Sequence, residues 1–250
     1  MRIFTCEHEW EAMLTCIYEA SASGLVHKNI RLMLEPIQQY TLFDEYVHVS
    51  SDSAKAAKVM DAIVTRISYQ VYRELALASM AYEEDVLDNI YHVLLLGFHH
   101  GPSVLEMVQY ADVMRNAEIR LRVKREANRF QEFVRFHQIG NTYISHIEPK
   151  SKIVTYLGPI FADRMPSIDF MIIDDVHKEA LVHPADSPYY LRRLTEEEFN
   201  RLQKTEEVND QYTDMWKTFF QQIAIQERHN ERCQTNLFPK WSRKHVTEFM

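Results

Sequence analysis

Residues 140–147, which read GNTYISHI, mark the point at which the local pattern of the chain changes from helical to extended. Gly140 is a turn former, and the residues after it are rich in the β-branched and aromatic side chains typical of strands. Two later runs, 153–156 and 170–173, share this composition and are bounded by Asn, Pro or Asp. We therefore predict three short strands in the second half of the chain.

The residues before Gly140 have apolar side chains at helical spacing instead. Trp10, Met13 and Ile17 predict a helix over 9–21, and Ile119 and Val123 belong to a pattern that predicts one long helix, or two in sequence, over 103–138. The other elements predicted in this half are a short strand over 45–50 and helices over 53–67, 71–81 and 84–98.

The second half also contains helical segments, which complete the predicted fold. We expect a short helix over 159–164 and further helices over 196–208 and 210–232. The acidic triplet 196–198 follows Thr195, as in the capped first turn of a helix. The predicted fold class is α+β, with a helical N-terminal half packed on a C-terminal half that has a small β-sheet and terminal helices.

Glycine and proline are scarce, which bears on the domain organisation. The chain of 250 residues has 5 glycines and 8 prolines and no stretch rich in either, so a flexible linker is not expected. We predict one compact body, with a mainly helical subregion over 1–112 and an α+β region over 113–250.

Several features predict a cytoplasmic protein. Glu7 and Glu9 interrupt the apolar core that a signal peptide would need, and the longest strongly apolar run, 93–98, is too short to span a bilayer. The three cysteines are scattered and odd in number, which argues against a disulfide framework. We expect no contact with membranes.

The net charge of −8 hides two basic segments. Residues 115–135 contain seven Arg or Lys against three Glu, and residues 228–245 contain five against one. Phenylalanines are interleaved near the end of the first segment, and basic surfaces with aromatic rings suit nucleic acid. A solvated helix face explains the same pattern equally well.

The residues with catalytic or ligand chemistry form no complete motif. Asp174 and Asp175 follow a predicted strand, where paired carboxylates hold Mg²⁺ or share a proton, although a turn aspartate is commoner. His99 and His100 are adjacent, so their side chains do not converge on one ion. The cysteines lack iron–sulfur spacing, and no nucleophile or glycine-loop motif occurs. We predict no metal and no cofactor bound by this chain.

Taken together, several segments resemble a known family. The resemblance is carried by REANRFQEFVRF at 125–136, IEP at 147–149, FADR at 161–164, IIDD at 172–175, WKTFF at 216–220, IAI at 223–225, ER at 227–228 and PK at 239–240. They resemble the bacterial DNA metabolism or repair proteins with the DUF4130 domain, whose genes accompany a DNA-modifying radical SAM protein. The close match covers roughly the second half. The sequence departs from the family pattern at Asn128 and Ile160, where the family usually has histidine.

The resemblance implies an accessory protein in DNA repair or metabolism that recognises substrate beside a radical SAM partner, which would carry out catalysis. Under this reading a group of basic residues contacts DNA weakly: Arg122, Arg125, Arg129, Arg135, Lys240, Arg243 and Lys244.

Two other readings stay open. One is a nucleic-acid-processing enzyme, a nuclease or base-processing activity, in which Asp163, Asp174 or Asp175 works beside Arg164. The other is a structural scaffold without nucleic-acid contact, in which the arginines are ion-pair partners.

Overall fold

The computed structural model describes residues 1–37, 39–203, 211–223 and 230–249. The chain divides into two compact units, Met1–Val123 and Lys124–Met250. The described residues form helices and two small sheets, which confirms the predicted α+β class. No helix among them is long and apolar enough to cross a membrane.

The first unit contains a three-stranded parallel sheet in the order β2-β1-β3. Its strands are β1 (Arg2–Cys6), β2 (Ile30–Leu34) and β3 (Glu45–His48), of which the sequence predicts only the last. Strands β1 and β2 lie far apart in the sequence, so no local pattern marks them as partners. Their pairing with each other makes them strands.

Helices account for most of the rest of this unit. Asp52 caps one helix by accepting hydrogen bonds from the backbone N–H groups of Ala54 and Lys55. The sequence predicts all of these helices, with ends within three residues for the first four, whereas the last begins eight residues later and ends five residues earlier than predicted. They are α1 (Trp10–Ala22), α2 (Ser53–Arg66), α3 (Tyr69–Ala78) and α4 (Val86–His100), followed by α5 (Ala111–Phe133), whose last residues lie in the second unit.

The second unit contains a five-stranded sheet in the order β4-β5-β6-β7-β8. Strands β5 and β6 are parallel, and the other neighbouring pairs are antiparallel. The strands are β4 (His137–Ile139), β5 (Thr142–Ile147), β6 (Phe170–Asp174), β7 (Glu179–His183) and β8 (Tyr190–Arg193). The strands predicted over 142–147 and 170–173 are confirmed.

The strand predicted over 153–156 is wrong, because helix α6 (Val154–Arg164) begins there. Strands β5 and β6 are parallel neighbours, so the chain must cross from the end of one to the start of the other, and a helix makes that crossover. Ile153 and Val154 are β-branched, but both are buried, and packing outweighs their preference for strands.

Three helices near the C-terminus complete the second unit. They are α7 (Glu196–Gln203), α8 (Gln211–Ile223) and α9 (Glu231–Leu237). Thr195 and Glu198 exchange hydrogen bonds at the start of α7, as the sequence predicts. The parts of the predicted helices that fall on 204–210 and 224–229 lie outside the described residues.

Candidate functional site

A group of polar side chains lies where β5 and β6 end. The two strands are parallel, and Ile147 pairs with Asp174 in register, so the residues that follow them emerge at the same edge of the sheet. These residues are Glu148 and Asp175. The carboxyl ends of parallel strands are a common location for ligand sites in open sheets.

Two histidines complete this group, which we call the strand-end cluster: His146, Glu148, Asp175 and His245. His146, in β5, has Nδ1 2.9 Å from Oδ1 of Asp175. His245 comes from the C-terminal segment, and its Nε2 lies 3.6 Å from Oε1 of Glu148 and 3.8 Å from Oδ2 of Asp175. The side chains of His146 and Asp175 are 3% and 6% exposed, so this pair is shielded from bulk water.

Backbone contacts fix the segments that carry the cluster. The N–H of Asp175 donates to the carbonyl oxygen of Ile147 at 3.0 Å, which ties the ends of the two strands together. After Glu148, the carboxylate of Glu126 accepts the N–H groups of Lys150 and Ser151 at 2.6 and 3.3 Å. Helix α5 thus holds the loop that follows β5.

The segment that carries His245 is held by contacts within the C-terminal region. Arg243 donates from Nε to the carbonyl oxygen of Phe238 at 2.8 Å, and its guanidinium group lies 4.5 Å from the ring centroid of Phe249. Next to it, Lys244 forms an ion pair with Glu148. A lysine ammonium group therefore lies beside the cluster and neutralises one of its two carboxylates.

An aromatic ring with two cations lies beside the cluster, and we call Arg129, Lys150 and Trp241 the aromatic rim. The Arg129 guanidinium group is 5.6 Å and the Lys150 ammonium group is 5.1 Å from the ring centroid of Trp241. Trp241 is 37% exposed. A small pocket joins the rim to the cluster, lined by Phe130, Phe133, His146, Glu148, Trp241, Ser242, Lys244 and His245.

This arrangement supports two kinds of chemistry. The proximity of Asp175 to Nδ1 of His146 allows the carboxylate to hold one tautomer of the ring, as in general acid–base sites. Glu148, Asp175 and His245 also bring three potential ligand atoms within 4.8 Å of one another, which suits a metal ion.

The structure separates the four residues predicted for an Asp/Arg active site. Asp174 is fully buried and accepts the N–H groups of Val176 and His177, which is the turn role that the sequence also allowed. Only Asp175 belongs to the cluster. Asp163 and Arg164 are exposed at the end of α6, and no contact among the described residues joins them to it.

Five of the seven basic residues predicted to contact nucleic acid have partners within the protein. Arg122 pairs with Glu83, Arg135 with Glu248, Lys240 with Glu231 and Lys244 with Glu148, while Arg243 binds a backbone carbonyl as described above. Arg125 is exposed, and its side chain has no ion pair with any described residue. Arg125 and Arg129 are therefore the two most available for phosphate.

Sequence reasoning missed most of the site. Glu148 and Asp175 each follow a predicted strand, and that position was a usable signal, but it required knowing that the strands are parallel neighbours. For His146, Trp241 and His245 the sequence held no local signal. The expectation of no metal site rested on the spacing of ligands along the chain, and it stays a prediction, although the structure brings scattered residues together.

The fold and the site define an α+β protein with a polar cluster at the ends of two parallel strands. The chain belongs to the DUF4130 family, described as a domain of unknown function, whose model matches residues 84–248. None of the curated proteins compared with the chain matches it. Asn128 is exposed on α5 and Ile160 is partly buried on α6, and the cluster has histidines at other positions.

Proposed function

We propose that this chain binds nucleic acid in DNA repair or DNA metabolism, and that the aromatic rim is the contact surface. The observation that carries the proposal is the placement of two cations against the part-exposed ring of Trp241. Surfaces that bind single strands combine rings that stack on bases with cations that contact phosphates. A role in recognising substrate beside a radical SAM enzyme follows from the family resemblance.

Local charge is what makes such binding feasible for a chain with a net charge of −8. Arg125 lies one helical turn before Arg129 on α5, so both side chains can contact phosphates of the same strand of nucleic acid. Long-range repulsion by the rest of the protein opposes this local attraction. We therefore expect weak binding by the isolated chain.

The test is the affinity of the full chain for a labelled single-stranded oligonucleotide, measured by fluorescence anisotropy. Trp241→Ala should weaken binding by about 5- to 150-fold, since stacking on one ring contributes about 1–3 kcal/mol. Trp241→Phe should retain most of the affinity. Tyr69→Ala, which removes an exposed ring from the first unit, is the control and should bind normally. Wild-type affinity in Trp241→Ala would refute the rim as the contact surface.

A second candidate is a nucleic-acid-processing enzyme, which the strand-end cluster favours. In this reading Asp175 orients His146, and His146 transfers a proton to or from the nucleic acid. Asp163 and Arg164 take no part, because they lie on the exposed end of α6.

The enzyme reading is tested by incubating the chain with oligonucleotides that carry a damaged base or an abasic site and resolving the products on a denaturing gel. Asp175→Asn should slow product formation by about 10²- to 10⁴-fold while binding is retained. The double variant Asp163→Asn/Arg164→Ala is the matched control and should react normally. If the wild type forms no product from any substrate, the accessory role is favoured.

A further inference from the structure

The geometry points to a metal site: we propose that Glu148, Asp175 and His245 bind one divalent transition-metal cation. The ligand atoms are Oε1 of Glu148, Oδ2 of Asp175 and Nε2 of His245. This inference does not rest on nucleic acid being the substrate. It concerns an ion that the cluster binds in the absence of any other ligand.

The distances between the ligand atoms match those around a small cation. Nε2 of His245 lies 3.6 Å and 3.8 Å from its two carboxylate neighbours, beyond the normal range of a hydrogen bond. Bonds of about 2.1 Å to a tetrahedral ion place neighbouring ligand atoms about 3.4 Å apart. A movement of a few tenths of an ångström, which side-chain rotation supplies, would bring the histidine nitrogen to that distance from each oxygen, and the ligand atoms of all three residues lie within 4.8 Å of one another.

His146 acts as a positioning residue for this site. Its Nδ1 lies 2.9 Å from Oδ1 and 3.2 Å from Oδ2 of Asp175, so it holds the carboxylate chiefly through the oxygen that is not assigned to the cation. Ligands of metal ions are usually held from outside by such hydrogen bonds, which fix the direction of the remaining lone pairs. The burial of His146 and Asp175 prevents the pair from rotating freely.

The ligand types and charges select the class of cation. The two carboxylates compensate a charge of +2, and the imidazole nitrogen favours Zn²⁺, Mn²⁺, Fe²⁺ or Co²⁺ over Ca²⁺. Lys244 now neutralises Glu148, but its side chain is 61% exposed and can move into water when a cation binds. With three protein ligands, the ion keeps a position for water or a phosphate oxygen, as in catalytic sites.

The experiment uses the full chain after treatment with a chelator. Titration with Zn²⁺ by calorimetry should show one equivalent bound, and Co²⁺ should give visible absorption bands that report nitrogen and oxygen ligands. Glu148→Gln and His245→Ala should each weaken binding by at least about 100-fold, and His146→Ala by about 10- to 100-fold. Lys244→Ala should bind the cation about 2- to 10-fold more tightly, because a competing charge is gone.

A matched control is available in the first unit. Nδ1 of His92 lies 3.8 Å from Asp88 and 3.9 Å from Asp112, so it also has two carboxylates at similar distances, but the His92 side chain is 34% exposed against 10% for His245. His92→Ala should leave the titration unchanged. Glu148 is partly exposed, so Glu148→Gln should fold normally, and Zn²⁺ should raise the thermal midpoint of the wild type but not of this variant.

Three results would overturn the metal site. The first is a wild type that binds none of these cations at tens of micromolar concentration. The second is wild-type affinity in both Glu148→Gln and His245→Ala. The third is weaker binding in Lys244→Ala, which would mean that the lysine supports the cluster instead of competing with a cation. None of these results would affect the proposal that the aromatic rim binds nucleic acid.

Discussion

Arg135 is one of the residues for which the sequence predicts a phosphate contact, and in the structure it holds a carboxylate. Its guanidinium group donates to both oxygens of Glu248, at 2.6 and 3.3 Å, and the Glu248 side chain is 6% exposed. Burial by itself raises the pKa of Glu248. The hydrogen bond from Arg135, together with further hydrogen bonds and the positive charge, more than reverses this effect and lowers the pKa below its ordinary value of 4.5.

The lowered pKa makes this ion pair a source of stability that acid removes. A carboxyl group with a lowered pKa in the folded state stabilises the protein above its unfolded pKa, and this contribution is lost as the pH falls through the folded pKa. Glu248→Gln should therefore lower the free energy of unfolding at pH 7 by about 1–3 kcal/mol. The loss should shrink on acidification below about pH 4.

The measurement is urea unfolding of the wild type and Glu248→Gln at pH 7 and at acid pH. Arg135→Ala should show a loss at least as large at pH 7, because it leaves a buried carboxylate without its cation. Arg125→Ala is the control and should change stability by less than about 0.5 kcal/mol. A loss for Glu248→Gln that is the same at both pH values would contradict the assigned role of the pair.

Helix α6 packs closely against strand β7 at Gly158. A Cβ atom added to Gly158 would lie 2.7 Å from Cδ1 of Leu181 in β7 and 2.7 Å from the ring of Tyr189. Such distances are shorter than van der Waals contact, so only glycine fits without displacement of its neighbours. The helix makes the crossover between β5 and β6, and its position therefore affects both strands that carry the cluster.

Replacement of Gly158 by alanine has two opposite effects on stability: it improves helix propensity and it worsens packing. Alanine within a helix raises the free energy of unfolding by about 1 kcal/mol relative to glycine, whereas overpacking of a buried site lowers it by about 1–3 kcal/mol. Because an aromatic ring and an aliphatic side chain would both be displaced, we expect Gly158→Ala to be less stable than the wild type in thermal unfolding. In a Leu181→Ala background the same change should cost less. A Gly158→Ala variant more stable than the wild type would show that Leu181 and Tyr189 move aside at little cost in free energy.

At the scale of the whole molecule, the distribution of charge bears on the proposed contact with nucleic acid. The negative excess of the chain is spread over its length, while many arginines of the basic segment 115–135 are neutralised by ion pairs. Arg122, for example, lies 3.1 Å from Glu83, whose side chain is 8% exposed. A count of basic residues in the sequence overstates the positive charge available to phosphate.

This difference predicts distinct effects for two neighbouring arginines. Arg125→Ala should weaken oligonucleotide binding and lower the slope of log affinity against log salt concentration by about one unit, the effect of one lost phosphate contact. Arg122→Ala should leave that slope unchanged and instead lower thermal stability, because Glu83 loses its partner. Anisotropy titrations at several salt concentrations measure the slopes. An equal loss of slope in both variants would show that the ion pair opens on binding.

The proposed radical SAM partner provides a further control at this scale. If the chain recognises substrate for a radical SAM protein, adding that protein should raise the apparent affinity for DNA, because the second contact becomes intramolecular. The gain should be largely lost in Trp241→Ala. A gain that is unaffected by Trp241→Ala would place the contact with DNA elsewhere on the chain.

The sequence by itself determined the features that depend on neighbours along the chain. The helices of the first unit follow from the period of apolar residues, and strands β5 and β6 follow from their β-branched and aromatic composition; together they give the α+β class. The cap at Thr195 follows from polar side chains beside the first turn of a helix. These interactions span only a few residues, so local sequence is sufficient to encode them.

Tertiary structure decided the pairing of the strands and, through it, the site. Strands β1 and β2 are separated by more than twenty residues, yet each becomes a strand by hydrogen bonding to the other. The parallel pairing of β5 with β6 turned residues 153–156 into a crossover helix and placed Glu148 beside Asp175. His245 then joined them from near the C-terminus. Such contacts depend on long-range hydrogen bonding and packing, which leave no period in the sequence.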